Sequence, residues 1–136
     1  MRRARTAIRI VAAAVALLGF ASAAWAATTL TYKGKTSQKR SISFTVSSSS
    51  VKGLQFHIID KCSAKRILFV RDHGIPSMSI SHSKFGGTFH NKEGSTITVS
   101  GDVHGQRVGG SLKDKTKNDQ THKFCSGSAS FSLKPS

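Results

Sequence analysis

From Thr28 onward, polar and apolar side chains alternate along the chain with a period of two. In the segment SISFTVS (41–47), Ile42, Phe44 and Val46 fall on one side, and serine and threonine fall on the other. Successive side chains of a strand point to opposite faces of a sheet, so this period predicts strands that bury one face only. The 3.6-residue period of an amphipathic helix is not sustained after the N-terminal segment. The pattern therefore disfavours helical and α/β folds.

The alternating segments predict about seven to nine short strands. They lie at 30–33, 41–47, 51–62, 66–72, 77–82, 85–91, 95–105, 106–114 and 125–133. Turn-forming residues occur at 47–50, 72–76, 91–94, 104–106 and 113–119. Short strands at this spacing predict an all-β fold, a single antiparallel β-sandwich, with a small β-barrel as the alternative.

The N-terminal segment, residues 1–26, has the features of a secretory signal peptide. Four arginines precede the apolar run IVAAAVALLGF (10–20), and the triplet AWA (24–26) fits the small-residue rule for cleavage. The apolar run is about half of the roughly 20 residues that a membrane-spanning helix needs. We therefore expect one secreted, extracytoplasmic domain at 27–136, with no transmembrane segment after cleavage.

That expected domain is strongly basic. It carries 17 Lys and Arg residues against six acids, a net charge of +11. Such an excess produces a positive field that favours anionic partners, and the expected ones are cell-envelope polymers or polysaccharides. The candidate polyanion-binding residues lie in two clusters, namely Lys33, Lys35, Lys39 and Arg40, and Lys113, Lys115, Lys117 and Lys123. A further basic group, at Lys61, Lys65 and Arg66, was not assigned to binding.

The two cysteines, Cys62 and Cys125, predict one disulfide. They lie 63 positions apart and neither belongs to a C-x-x-C pair, which removes the spacing expected of zinc and thioredoxin-type sites. Both share parity with core positions, and an exported chain meets an oxidising compartment. A catalytic thiolate is the weaker alternative, because no histidine base is recognisable by motif.

Sequence motifs for catalysis are absent. The chain has no G-x-S-x-G, H-E-x-x-H, P-loop or dinucleotide fingerprint, and its six acids are not paired along the sequence. Its histidines are spaced without an H-x-H or H-x-x-x-H pair; they are His57, His73, His82, His90, His104 and His122. We therefore predict no catalytic residue, no metal and no cofactor. One Tyr and no Trp in the expected domain also speak against sequence-specific nucleic-acid recognition.

Two serine-containing segments allow either a structural or a functional interpretation. The C-terminal strip CSGSASFSL (125–133) places serines on one parity and Cys125, Ala129 and Phe131 on the other, which favours a wall of the sheet over a site of chemistry. The Thr36-Ser37-Gln38 segment is either a binding loop or a turn capped by its own side chains. The capping interpretation is favoured.

Several short motifs run through the expected domain. They are YKGKTSQ (32–38), the strand SISFTVS, Gly53-Leu54 followed by a cysteine, and Cys125-Ser126-Gly127 before the last alternating strand. This arrangement resembles an uncharacterised group of small secreted bacterial proteins with a Y/F-x-G-x-T-S-Q opening and a two-cysteine pattern. Phe131 stands where that group often carries Trp. The resemblance implies a β-sandwich-like exported domain and supplies neither an activity nor a site.

These observations support three hypotheses about function. The first is a non-catalytic secreted domain that associates electrostatically with envelope or environmental polyanions. The second is a structural or protein-interaction domain whose charge serves solubility alone. The third is a hydrolase without a recognisable motif, which requires Asp and His side chains to converge in a concave pocket.

Overall fold

The computed structural model describes residues 28–62, 65–71, 75–91, 94–117 and 123–136 of the chain. The expected signal peptide lies outside these residues. Within them, every regular element is a β-strand. The strands are β1 (Leu30–Lys35), β2 (Ser41–Val46), β3 (Ser50–Cys62), β4 (Lys65–Arg71), β5 (Met78–Ser79), β6 (Lys84–His90), β7 (Thr96–His104), β8 (Arg107–Lys117) and β9 (Phe124–Leu133).

All strand pairings in the described residues are antiparallel. The hydrogen-bonded order is β1-β2-β3-β9-β8-β7-β6, and β4 and β5 also pair with β3. The thirteen residues of β3 therefore connect most of the structure. The prediction of an all-β antiparallel fold is confirmed, whereas the choice between sandwich and barrel stays a prediction.

Apolar side chains at alternating positions of β1, β2, β3, β7, β8 and β9 form most of the core. Tyr32 stacks on Phe44 with ring centroids 5.2 Å apart, and Phe131 meets Phe44 edge-on at 5.7 Å. On β9, the predicted inward positions Ala129, Phe131 and Leu133 are buried, and the intervening serines are exposed. The strip is thus a strand of the sheet with its serines on the outward face, as predicted.

A bulge in β3 explains how two apolar residues that lie an odd number of positions apart both reach the core. Val51 and Leu54 are buried although they lie three positions apart, which an uninterrupted strand does not allow. Gly53 between them has a φ of 63°, and the pairing of β2 with β3 shifts register at this point. A glycine in the left-handed region adds one residue to the strand and reverses its parity.

The last strand, β9, borders two different strands along its length. Its beginning meets β3 through the pair Lys61↔Ser126. Its second half runs beside β1, where the Ser37 amide donates to the Ser130 carbonyl at 2.8 Å and the side chain of Leu133 lies against Gly34. The β3 and β1 strands therefore diverge along the same edge of β9.

The predicted disulfide between Cys62 and Cys125 is present and lies beside the Lys61↔Ser126 pair. Cys125 is buried and Cys62 is half-buried. The bond thus links β3 to β9 next to the one residue pair, Lys61↔Ser126, through which these strands are joined.

Two predicted boundaries are wrong. The strand predicted at 77–82 ends at Ser79, because His82 and Ser83 adopt positive φ and form a tight turn. The turn predicted at 113–119 begins too early, because β8 continues to Lys117 with Asp114 turned inward and the lysines turned outward. Lys113, Lys115 and Lys117 therefore lie on β8 rather than in a turn.

Candidate functional site

A depression of about 670 Å³ lies over the outer side of β7, β8 and β9. Three lysines from two strands line it: Lys113 and Lys115 on β8, and Lys61 near the end of β3. Four hydroxyl side chains lie among them, namely Thr96, Thr98, Ser126 and Ser128. The lining thus consists mainly of groups that donate hydrogen bonds.

The strand register arranges these groups in two rows across the sheet. In the first row, Lys115 is paired with Thr96 on one side and with Ser126 on the other. Ser126 is in turn paired with Lys61, which brings a second ammonium to this row. Residues that are paired in this way have their side chains on the same face of the sheet and within reach of one another.

In the second row, Lys113 is paired with Thr98 and with Ser128. This row lies two residues along β8 from the first, so both rows face the same side of the sheet. Lys113 and Lys115 are therefore each flanked by one threonine and one serine. An oxyanion bound at either ammonium has hydroxyl donors on both sides.

The side-chain amide of Gln38 closes one end of the depression. Its Nε2 donates to the carbonyls of Ile59 and Ser128, at 3.0 and 3.1 Å, and its Oε1 accepts from the Ile59 amide at 2.7 Å. The turn that carries Gln38 is held by its own groups, since the Gln38 amide donates to Thr36 Oγ1 and the Lys39 amide to the Thr36 carbonyl. These contacts are those expected of the capping interpretation of the Thr36-Ser37-Gln38 segment.

Two buried carboxylates lie beneath the lysines. Asp60 is 0% exposed and Asp114 is 2% exposed. Thr116 Oγ1 donates to Asp114 Oδ2 at 2.9 Å, and Ser95 Oγ donates to Thr116 Oγ1 at 3.1 Å. Asp60 lies against Gly127, where a larger residue would meet its Oδ1 and the backbone of β3.

The depression carries a positive charge even with an acid in its lining. Of these two carboxylates only Asp114 lines the depression, so three lysines and one aspartate leave a net charge of +2. The lysines are exposed and the aspartate is buried. The ammonium groups therefore are the charges nearest to an approaching ligand.

An exposed aromatic ring lies at the other end of the lysine row. Phe124 is 52% exposed, and Lys115 Nζ lies 4.5 Å from its ring centroid. Such a cation–π contact contributes about 0.5–1 kcal/mol at an exposed site and restrains the ammonium.

The structure brings together only part of the predicted binding set. Lys113 and Lys115 line the depression, and Lys117 and Lys123 are exposed beyond it. The other cluster is exposed on β1 and the turn after it, and none of its members lines the depression; it comprises Lys33, Lys35, Lys39 and Arg40. The depression therefore includes two of the eight predicted residues.

Sequence reasoning missed Lys61 and the four hydroxyls as members of the site. Lys61 was noted among the basic residues, but nothing in its sequence context connects it with β8. The hydroxyls share the outward parity of Lys113 and Lys115 only after the strands are paired. The sequence shows that these side chains point outward. It does not show which strands are neighbours, and that order is needed to place the side chains together.

A second concavity, of about 660 Å³, has a different character. Its walls include Leu30, Val46 and Val103, with Ser47 and His82 among its polar residues. No lysine or arginine of the described residues lines it. It therefore offers apolar contacts rather than a positive field.

The described residues contain no group of three His, Cys, Asp or Glu side chains placed to hold a metal ion. His73 and His122 lie outside them. Asp102 Oδ2 and His104 Nε2 approach to 3.3 Å, but both side chains are exposed and neither lines one of the two concavities. The Asp and His convergence that a hydrolase requires is thus not found in either concavity.

Comparison with protein-family models, curated proteins and solved structures gives no match. Residues 28–62, 65–71, 75–91, 94–117 and 123–136 include no helix that is long and apolar enough to cross a membrane. The geometry of the depression is therefore what indicates a function.

Proposed function

We propose that the protein is a non-catalytic, exported binding domain that holds an anionic polymer in the depression of Lys61, Lys113 and Lys115. The observation that carries this proposal is the register that places Lys61 and Lys115 on either side of Ser126. Strand pairing concentrates charges that are distant along the sequence, which a charge serving solubility alone does not require.

The chemistry of the lining supports an oxyanion ligand. Ammonium and hydroxyl groups both donate hydrogen bonds, and charge-assisted bonds to phosphate or carboxylate are about twice as strong as neutral ones. A net charge of +2 in the depression adds to the basic character of the whole chain. Steering by this field speeds association and depends strongly on salt.

The Cys62–Cys125 disulfide is consistent with an extracytoplasmic location, because such bonds persist in oxidising compartments. Export also brings the domain into contact with the anionic polymers of cell envelopes. A signal peptide at 1–26 is part of this proposal.

Salt-dependent retention on an anionic matrix tests the proposal. The variant K61Q/K113Q/K115Q removes the three lysines of the depression, and K52Q/K84Q/K134Q removes three exposed lysines outside it. We expect the first variant to elute at lower salt and to lower the slope of log affinity against log salt by about 2, since each neutralised charge contributes roughly 0.7. The control should change retention much less.

Equal retention of the two variants would show that the charge acts diffusely, and the solubility hypothesis would then replace this one. Absence of retention for the unmodified protein would show that the positive charge attracts no polyanion, and would likewise leave the solubility hypothesis. Both variants must keep the far-ultraviolet dichroism of a β protein for the comparison to count.

A further inference from the structure

We propose that the polymer bound in this depression is a linear phosphodiester chain with six backbone bonds in each repeat, such as poly(glycerol phosphate), lying along β8. This inference rests on the proposed function and names the class of its ligand. It depends on the spacing of the two rows of donors and on the hydroxyls beside them.

The lysines of β8 form a periodic array. Lys113, Lys115 and Lys117 are exposed and alternate with the inward residues Asp114 and Thr116. A strand rises about 3.4 Å per residue, so successive ammonium attachment points lie about 6.8 Å apart. The array thus presents one lysine per pleat along the strand.

A phosphodiester chain of a three-carbon polyol has nearly the same repeat. One amino-acid residue has three backbone bonds and spans about 3.3–3.6 Å when extended, so six backbone bonds span about 7 Å. Each phosphate along such a chain therefore meets the next lysine of the row. Inorganic polyphosphate has two backbone bonds per charge, and its repeat is about one third of this length.

Uronic acid polymers fit the array less well. Their carboxylates are substituents of pyranose rings, so their spacing and direction follow the ring linkages rather than an extended backbone. Their charges do not fall in register with a straight row of lysines. A phosphodiester chain keeps its charge in the backbone and can follow the strand.

Two of the three positions of the array have hydroxyl donors on both sides, whereas Lys117 is paired with Phe124. Lys115 lies between Thr96 and Ser126, and Lys113 lies between Thr98 and Ser128. A phosphodiester has two non-bridging oxygens that accept hydrogen bonds, one for the ammonium and one for a neighbouring hydroxyl. The two rows therefore act as two equivalent subsites for successive phosphates.

A polymer without bases fits the surface better than nucleic acid. Single-strand binding uses several aromatic rings on which successive bases stack. On β7, β8 and β9, Phe124 is the one large apolar side chain that is exposed, and Lys115 Nζ lies over its ring. The charge array is thus present without a stacking platform.

Titration calorimetry on the oxidised protein tests the inference with three probes of equal charge. They are poly(glycerol phosphate), oligogalacturonate and a single-stranded oligodeoxynucleotide. We expect the glycerol phosphate oligomer to bind about tenfold more tightly than the galacturonate, because its charges meet the lysines in register. Equal or tighter binding of galacturonate would overturn the inference, and tighter binding of the oligonucleotide would assign the site to nucleic acid.

A variant with unchanged charge tests the effect of lysine spacing alone. In S111K/K113S the number of lysines on β8 is unchanged, but one ammonium moves by a single pleat and leaves a gap beside Lys115. We expect about tenfold weaker binding of poly(glycerol phosphate) with little change for galacturonate. Unchanged glycerol phosphate affinity would show that spacing is irrelevant.

Removal of the hydroxyls gives a second, independent readout. T98V/S128A keeps all charges and removes both hydroxyl donors beside Lys113, and T31V/S41A removes exposed hydroxyls outside the depression. The first pair should weaken phosphodiester binding about threefold to tenfold and leave the salt dependence intact. Equal affinities of the two pairs would contradict the assignment of the subsites.

The two proposals fail in different ways. If K61Q/K113Q/K115Q binds all three probes as well as the unmodified protein does, the proposed function itself is wrong. If that variant loses binding while S111K/K113S and the probe comparison show no preference, only the assignment to a phosphodiester fails.

Discussion

The side chain of Gln38 satisfies both backbone groups of Ile59. Its Nε2 donates to the Ile59 carbonyl at 3.0 Å, and its Oε1 accepts from the Ile59 amide at 2.7 Å. A neighbouring strand would normally make these two bonds. Because β3 and β1 diverge along β9, one side chain takes the place of a strand at the edge of the depression.

Replacement of this amide should destabilise the protein measurably. Gln38→Ala leaves the amide and carbonyl of Ile59 and the carbonyl of Ser128 without this partner, so we expect a loss of about 1–3 kcal/mol in the free energy of unfolding. Urea denaturation measures it. The control Gln55→Ala, at an exposed position of β3, should change stability by less than about 0.5 kcal/mol. Similar values for the two variants would show that Gln38 is a surface residue without structural weight.

The disulfide should make a large contribution to stability. Cys62 and Cys125 are 63 positions apart, and closing a loop of that size stabilises the folded state by about 4 kcal/mol in the chain-entropy model. We expect C62A/C125A to lose a substantial part of this and to be insensitive to reductant, whereas the unmodified protein should be destabilised by it. Two reactive thiols in the denatured, unreduced protein would contradict the bond.

Tyr32 should make stability fall at alkaline pH. Burial raises the pKa of its phenol above the ordinary value of about 10, and the hydroxyl donates to the Gln106 carbonyl at 2.8 Å. The folded protein holds this proton more tightly than the unfolded chain does. The stabilisation is therefore fully present below the unfolded pKa and is lost as the pH rises through the folded one.

The chain has a single tyrosine, so tyrosinate absorbance reports this group alone. Its midpoint should be higher in the folded protein than in urea. Tyr32→Phe should remove the corresponding part of the stability loss above about pH 10. Identical midpoints in the folded and unfolded states would show that the ring is open to solvent.

Substitutions in the turn between β5 and β6 should increase the stability of the protein. Ser81 and Lys84 exchange two backbone hydrogen bonds of 2.9 Å, and His82 and Ser83 between them have φ values of 51° and 62°. These are the dihedrals of a type I′ turn, which favours Asn-Gly. H82N/S83G should raise the free energy of unfolding by about 1 kcal/mol, because left-handed residues other than Gly and Asn are strained.

A reverse substitution provides the control for the turn. Gly105 has a φ of 60° with open space around its α-carbon, so Gly105→Ala tests backbone strain alone and should lower stability by about 1 kcal/mol. Thermal denaturation of H82N/S83G and of Gly105→Ala measures whether each change raises or lowers stability. Shifts of the same sign would rule out strain as the common cause.

The alternation of side chains was sufficient to predict most strands and their buried faces. Phe44, Ala129 and Phe131 were assigned to the inside from parity alone, and all three are buried. Boundaries failed where a local rule was overridden. Lys115 was predicted to lie in a turn because Lys, Asp and Asn cluster around it, yet pairing with β7 and β9 keeps it in a strand.

The depression could not be predicted from the sequence, because its members come from four strands and one turn. Lys61 and Lys115 are far apart along the chain and meet across Ser126 only in the folded sheet. Gln38 joins them from the turn after β1. The sequence indicated that each of these lysine side chains points outward, but it did not indicate which residues lie beside them on adjacent strands.

By itself, the sequence determined that this chain forms antiparallel strands with one apolar face and one polar face. It also determined the cysteine pair and the excess of positive charge. Those properties depend on single residues and on their immediate neighbours. Only the tertiary structure decided that β3 lies next to β9 and that Gln38 bridges the gap beyond their contact. Strand order depends on contacts between distant segments, and a period of two contains no information about which strand becomes the neighbour of another.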